Sequence, residues 1–488
     1  MTAAQVDKKY ELKLNEWILD EKAAIELITT ASILWLDHSV EVVLFRRPLF
    51  DASHSAVLEY HHSARDYHKK AITVQLSLEI SNAIAKLDLA PSRIDIGRLS
   101  SEWLEEGNKY SGMDEFASDK LRGIIGQDKL HLKPKDVVLY GFGRIGRLAA
   151  RVLIEQAAKG EQLRLRAIVV RGKLDETDMA KRASLLRRDS VHGKFHGTIV
   201  EDYENRQLII NGHVVQMINA DGPDEIDYTQ YGIQDSLVID NTGVWRDREK
   251  LSLHLQSKGT DKVLLTAPGK GDIPNIVHGV NHHTLNLESE KIFTAASCTT
   301  NAIIPVIKVV EDSIGIERGH VETVHAYTND QNLLDNYHKK YRRGRSAALN
   351  MVITETGAES AIAKIIPSLK GKFTGNAVRV PTPDVSLAIL NLTLKRQITK
   401  EEINAILKKS AKEGDLIEQI EFSTSNEMVS SDVVGNPHAS VVDGQATIIS
   451  ADGKNVVLYV WYDNEYGYTR QVIRLSKYLA NVIRLTYY

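Results

Sequence analysis

Val137-Val-Leu-Tyr-Gly-Phe-Gly-Arg-Ile-Gly146 sets four residues fit for a strand directly against a G-x-G-x-x-G turn. The first four read as a buried strand. The glycines then allow a tight turn and let a pyrophosphate approach the N-terminus of the helix that follows. That helix runs from Arg144 to about Ala158, with Gly160 as its C-cap, and a second strand spans Leu165 to Val170. A lone G-x-G-x-x-G carries little weight. Strand, Gly-rich turn, helix and strand within about thirty-five residues predict a dinucleotide-binding unit, with the glycines Gly141, Gly143 and Gly146 at the turn.

In such a unit an acidic residue at the end of the second strand takes the ribose 2′-hydroxyl of NAD. Here that strand ends Val169-Val170-Arg171-Gly172, and the nearest acids, Asp175 and Glu176, come later. A guanidinium suits a 2′-phosphate. The cofactor is therefore expected to be NAD or NADP, with Arg171 facing the ribose or pointing into solvent.

Further along, the only cysteine of the chain, Cys298, lies in Ala-Ala-Ser-Cys-Thr-Thr-Asn, just before the apolar run Ala302-Ile-Ile-Pro-Val-Ile. A cysteine opening a helix gains thiolate character from the dipole, although an isolated cysteine is as often a small buried hydrophobe. His325 follows on the strand-like Val-Glu-Thr-Val-His-Ala-Tyr-Thr328. Beside a thiol it can serve as a base; elsewhere it is an ordinary core or surface histidine. Thr299, Thr328, Arg342, Arg345, Thr356, Gly357 and Arg379 form a set of anion donors suited to a phosphorylated substrate. Trp461 to Tyr468 is a polar cluster closing an apolar strand.

Before Lys135 the character differs. Residues 1 to 133 are rich in charges and leucines, with no ligand cluster, repeat or Gly-rich loop. Ile18, Ile25 and Ile28 share a helical face that Asn15 could cap, and residues 71–87 favour helix over strand. We expect a mainly helical extension of unknown role and partner. Net charge −3 gives no support for nucleic-acid or acidic-membrane binding. The N-terminus lacks a secretory pattern and no apolar run is long enough to span a bilayer. One cysteine excludes an intrachain disulfide, so a reducing, cytoplasmic setting fits. No metal cluster is expected.

From about Lys135 to the C-terminus the chain resembles the phosphorylating glyceraldehyde-3-phosphate dehydrogenase family, in a long form with an N-terminal helical extension. The matching segments are GFGRIGR, DSVHGKF (Asp189–Phe195), LTAPGKGDIP (Leu265–Pro274), ASCTTN, HAYT, RRGR, ETGA, RVPTPDVS (Arg379–Ser386) and WYDNEYGY, in the family's order. The resemblance implies an α/β fold: a Rossmann-like domain over 134–297, completed by 465–488, and an α+β catalytic domain over 298–464, preceded by the extension over 1–133. It implies that Cys298 attacks the aldehyde of glyceraldehyde 3-phosphate with His325 as base. A thiohemiacetal becomes a thioester, and inorganic phosphate releases 1,3-bisphosphoglycerate. Arg379 and Thr328 would hold the substrate phosphate; Ser297, Thr299, Thr356 and Gly357 the attacking phosphate; Arg345 would assist between them. Gly141, Phe142, Gly143, Arg144, Ile145 and Gly146 would hold the cofactor's pyrophosphate, Asn464 would orient the nicotinamide, Thr266 would line its pocket, and the assembly would be a homotetramer.

Several positions depart from the family. Tyr140 stands where asparagine is usual, and Arg171 where an acid is usual. Asn336-Tyr337 stands where NAD-specific members often carry Leu-Pro, and Ala302 replaces a second cysteine. Erythrose-4-phosphate dehydrogenase shares this motif set, and a non-catalytic regulatory protein on the same scaffold is the reading from another class.

Overall fold

The structure is a computed structural model that describes residues 3–68 and 71–488. It divides into two compact units. One comprises Met1–Pro134, Ala157–Gln162 and Val482–Tyr488; the other comprises Lys135–Gln156 and Leu163–Asn481.

The first unit begins with a helix over Ala3–His38. Asn15 does not cap it, because the helix runs straight through. Nor is the isoleucine face the core face: Ile25 is 50% exposed, whereas Ala23, Ala24, Leu27, Ala31, Leu34 and Trp35 are buried. Small alanines at this spacing let the backbone lie close to its neighbours. Residues 71–87 do form a helix, Val74–Ile84, whose Thr73 hydroxyl accepts from the Leu76 N–H. The extension also holds a four-stranded sheet in the order Arg47–Pro48, Val40–Leu44, Ser92–Asp95, Leu485–Tyr487. The last pairing, Leu485 opposite Ser92, joins the two ends of the chain. The final residues thus complete this sheet, while Tyr466–Leu479 is a helix of the second unit. Asp95, 3% exposed, caps the Ile96–Glu106 helix through the Gly97 and Arg98 N–H groups and accepts from the Phe45 and Arg46 N–H groups as well.

The second unit contains the strand, turn and helix from which the reading began. Lys135–Tyr140 pairs in parallel with Leu163–Val170 on one side and Ser236–Asp240 on the other. Eight strands make this sheet, and the order reverses across Lys135–Tyr140, which places a ligand crevice at the strand ends beside it. The Gly-rich turn leads into a helix over Arg144–Glu155. That helix stops at Gln156, so Gly160, at φ +74°, shapes the following turn rather than the cap. A second eight-stranded sheet is built on Ile316–Ala326, which lies between Phe373–Val380 and Ser386–Leu394. The helix Cys298–Ser313 contributes Ala302, Ile303, Ile304, Val306 and Ile307 to the core packed against this sheet. The unit is thus a Rossmann-like α/β sheet joined to an α+β sheet. No helix among the described residues is long and apolar enough to cross a membrane.

Candidate active site

Ser297 is the N-cap of the Cys298–Ser313 helix, its Oγ accepting from the Thr300 N–H at 3.0 Å. The residue before it, Ala296, sits at φ +55°, a conformation L-residues seldom hold without support. Tyr468 supplies that support, donating from its hydroxyl to the Ala296 carbonyl at 2.9 Å. Asn301 Nδ2 ties down the Ala295 and Ser297 carbonyls at 2.7 and 2.9 Å. Cys298 is therefore presented from a braced turn.

Its Sγ lies 3.6 Å from His325 Nε2. The other ring nitrogen, Nδ1, is 2.7 Å from the Ala326 carbonyl. Nδ1 also lies 3.0 Å from Arg379 Nη1. The carbonyl can only accept and the guanidinium only donate. The shorter carbonyl contact favours a proton on Nδ1, which leaves the Nε2 lone pair toward the sulfur. Burial, reinforced by the nearby Arg379 charge, pushes the imidazole down to about 3. Burial also pushes the Cys298 thiol above its ordinary value, against the opposing pull of Arg379 and Thr299. The dipole-lowered thiol expected from the helix N-terminus is thus overridden by desolvation. At neutral pH the resting pair is thiol and neutral imidazole, with Nε2 placed to take the proton only as the sulfur attacks an electrophile.

Arg379, on the strand beside His325, donates through Nη1 to the Ala326 carbonyl at 3.0 Å and to Thr328 Oγ1 at 3.2 Å. Its Nε is buried without a partner. An orphaned guanidinium donor beside a nucleophile is what an anionic substrate group would satisfy. Thr328 also donates to Asp330, which pairs with Arg343. Asp330 and Arg343 were not singled out from sequence, although Arg343 lies within the RRGR segment and Asp330 two residues after HAYT.

Other anion donors are less uniform. Thr356 and the exposed Gly357 lead into the Ala358–Ile365 helix, and a Cβ at Gly357 would meet no atom within 4 Å. Thr299 is buried, and its hydroxyl is engaged with Tyr462 at 3.0 Å rather than open to phosphate. Arg345 is a clear departure. Its side chain is 66% exposed and its Nε donates to Asp335 at 3.0 Å. A surface carboxylate holds it in place of a site anion. Arg342 donates only to the Ile353 carbonyl, at 3.4 Å.

On the cofactor side, Gly141 has φ +93°, and a Cβ at Gly146 would lie 2.3 Å from the Gly141 carbonyl oxygen. At Gly143 a Cβ meets nothing within 4 Å, so the space above the helix start is open. This cradle fits a dinucleotide pyrophosphate, with the Phe142 to Ile145 backbone around it. The Arg144 side chain does not face that space. It pairs with Glu465 and, at 3.1 Å, with Asp189. Thr266 Oγ1 donates to the Asp240 carbonyl at 3.1 Å. Asn464 is buried, its Oδ1 accepting from Ser386 Oγ at 2.7 Å, while Ser386 accepts from the Ala326 N–H at 3.0 Å. One hydroxyl thus links the histidine strand to the Asn464 amide. Ser386 went unread because only its long-range partners reveal it.

Beside Arg144 lies a cluster no sequence reading assigned: His192, Asp384 and Glu465 bring three potential ligand atoms within 4.8 Å of one another. Arg144 already supplies Glu465 with a counter-charge, so the cluster reads as an ion-pair network. Asp384 is 4% exposed with both oxygens lacking a hydrogen-bond partner. Burial and the neighbouring Asp463 and Glu465 carboxylates raise its pKa.

Known proteins are similar to this chain in sequence. Family models match residues 135–248, as the NAD binding domain of glyceraldehyde 3-phosphate dehydrogenase, and residues 297–464, as its C-terminal domain. A glyceraldehyde-3-phosphate dehydrogenase-like protein of Pseudomonas aeruginosa (strain UCBPP-PA14) is 53% identical over 454 residues, 92% of this chain and 97% of that protein. Glyceraldehyde-3-phosphate dehydrogenases of Zymomonas mobilis and Bacillus subtilis are each 39% identical, over 348 and 344 residues, covering 71% and 70% of this chain and 99% and 96% of theirs. A match over 92% of the chain takes in most of residues 1–134.

Proposed function

The chain belongs to the glyceraldehyde-3-phosphate dehydrogenase family, and from that premise we propose that it oxidises glyceraldehyde 3-phosphate and phosphorylates the product to 1,3-bisphosphoglycerate, reversibly. The observation that supports this most is Cys298 Sγ at 3.6 Å from His325 Nε2, with Nδ1 held 2.7 Å from the Ala326 carbonyl. Sγ attacks the aldehyde carbon while its proton passes through Nε2 to the carbonyl oxygen, giving a thiohemiacetal and returning His325 to its neutral form. His325 then takes the hydroxyl proton as the carbon is oxidised to a thioester on Cys298. A bound nicotinamide dinucleotide supplies the hydride acceptor. Phosphate attacks the acyl carbon, the C–S bond breaks, and Sγ recovers a proton. A thiol is needed because an oxygen ester is a poorer acyl donor.

Arg379 and Thr328 hold the substrate phosphate in this reading. Ser297, Thr356 and Gly357 receive the attacking one, with Thr299 contributing through its contact to Sγ. Asn464, aimed by Ser386, orients the nicotinamide, and Thr266 lines its pocket. Arg171 admits NADP beside NAD. The exposed apolar residues Leu333, Leu334, Tyr337, Tyr341, Leu349 and Met351 support a homotetramer, checked by light scattering on the eluted protein.

The deciding experiment is the initial rate at 340 nm with glyceraldehyde 3-phosphate and inorganic phosphate, comparing wild type with Cys298→Ser. Loss of essentially all turnover in a variant that still folds and binds cofactor is the expected result. Undiminished turnover would end this mechanism. Running erythrose 4-phosphate in parallel identifies the preferred sugar phosphate.

A further inference from the structure

Arg171 follows the Leu163–Val170 strand, one of the two that flank the Gly-rich turn's own strand, and its guanidinium carbon lies 4.7 Å from the centre of the Trp245 ring. Trp245 reaches it from the loop after the Ser236–Asp240 strand, on the other flank. The two residues therefore meet across the crevice where the strand order reverses.

The indole is held from behind. Its ring stands edge-to-face against Tyr140 at 5.5 Å and against His254 at 6.0 Å. Tyr140 is 1% exposed and itself packs edge-on to His254 at 4.7 Å. His254 Nε2 lies 3.1 Å from Asp240 Oδ2, inside the sheet. Arg171, by contrast, is exposed and has no ion pair among the described residues; its guanidinium also lies beside the Tyr140 hydroxyl, which occupies one of its five N–H donors at most. The nearby acid Asp175 is taken by Lys173 and by the Asp178 N–H. A guanidinium stacked by its face leaves its edge, with the N–H fork, free for two hydrogen bonds to an oxyanion.

We propose that Trp245 is a positioning residue for cofactor choice: it clamps Arg171 by its flat face so that the fork meets the 2′-phosphate of an adenosine 2′-phosphate cofactor. This rests on the reading that Arg171 faces the ribose. Without the indole the side chain regains its rotamer freedom, and the same charge binds the phosphate less well.

Calorimetric titration of the full chain with 2′-phospho-ADP-ribose and with ADP-ribose tests this, since neither ligand can accept a hydride. Arg171→Leu should lose tenfold or more on the phosphorylated ligand alone, about the worth of a charged hydrogen bond. Trp245→Leu should lose about fivefold on that ligand, the range of a cation–π contact, and clearly less on ADP-ribose. Trp245→Phe keeps an aromatic face and should recover much of the preference, which guards against a packing defect in the leucine variant. Equal weakening of both ligands in Trp245→Leu would make the indole a plain pocket wall and overturn the clamp. An unchanged ligand ratio in Arg171→Leu would instead overturn the placement of Arg171 on which the clamp rests.

Discussion

At the scale of single residues, the chemistry is local and hence largely legible. Cys298 and His325 could be singled out because each stands in a short motif whose neighbours serve the same task. Ser297 caps the helix, and the carbonyl of the residue after His325, Ala326, orients the imidazole through Nδ1. His325→Asn keeps a hydrogen-bonding side chain but removes the base, so the stopped-flow hydride-transfer rate should fall by about 10² to 10⁴. A rate equal to wild type would show that Nε2 takes no proton. Arg345, expected beside the anion sites, pairs with Asp335 at the surface, because a run of cations looks alike in sequence and only packing decides which one a surface carboxylate holds. Asp384 gives a prediction that no motif contained. An unfolded aspartate loses its proton near about pH 4, while the buried one keeps it to higher pH. Across that window the folded state binds more protons than the unfolded state, so stability falls as pH rises. His192, whose pKa is also raised, contributes in the same direction. Asp384→Asn should raise Tm at pH 8 by a few degrees and flatten its fall between pH 6 and pH 8. An unchanged pH slope would mean that Asp384 is ionised in the folded protein.

Elements are legible where a local pattern and a tertiary demand coincide. The Gly-rich turn is the best case, since strand, turn and helix are contiguous and each glycine has its own reason. Gly146 is required by the fold, a Cβ there falling 2.3 Å from the Gly141 carbonyl oxygen; Gly143 has no such constraint. The two should separate on substitution. Gly146→Ala should lower Tm and weaken dinucleotide binding together, because backbone must move. Gly143→Ala should leave Tm nearly unchanged while weakening binding tenfold or more, because only a ligand would meet the new methyl. Equal binding of wild type and Gly143→Ala, by titration with ADP-ribose, would place the pyrophosphate elsewhere. The helical end of the same motif was less legible. Gly160 looked like a cap, yet the helix ends four residues earlier, because boundaries depend on which carbonyls the surroundings satisfy.

At the scale of the whole molecule, legibility drops with sequence separation. The Rossmann-like and catalytic sheets could be anticipated because their motifs run in order along the chain. The sheet of the first unit could not: its strands are two to five residues long, and one of them, Leu485–Tyr487, comes from the far end of the chain. No periodicity in either segment signals that partnership. Its consequences are nonetheless concrete. Leu485–Tyr487 pairs in register with Ser92–Ile94, Tyr487 donates to Glu102 at 2.5 Å, and Arg484 stacks on Trp35 at 4.2 Å. Deleting residues 485–488 removes that strand and leaves Ser92–Asp95 as a bare sheet edge. Amide exchange in Val40–Leu44 and Ser92–Asp95 should then accelerate by a factor of ten or more, while Val137–Tyr140 and Ile316–Ala326 in the other unit keep their protection. Turnover should survive, since every residue assigned a role in the chemistry lies in the second unit. Unchanged exchange in the first unit would mean that its sheet holds without the C-terminal strand. Accelerated exchange in both units would mean that the two unfold as one cooperative body, and that the first unit stabilises the second through its own folding.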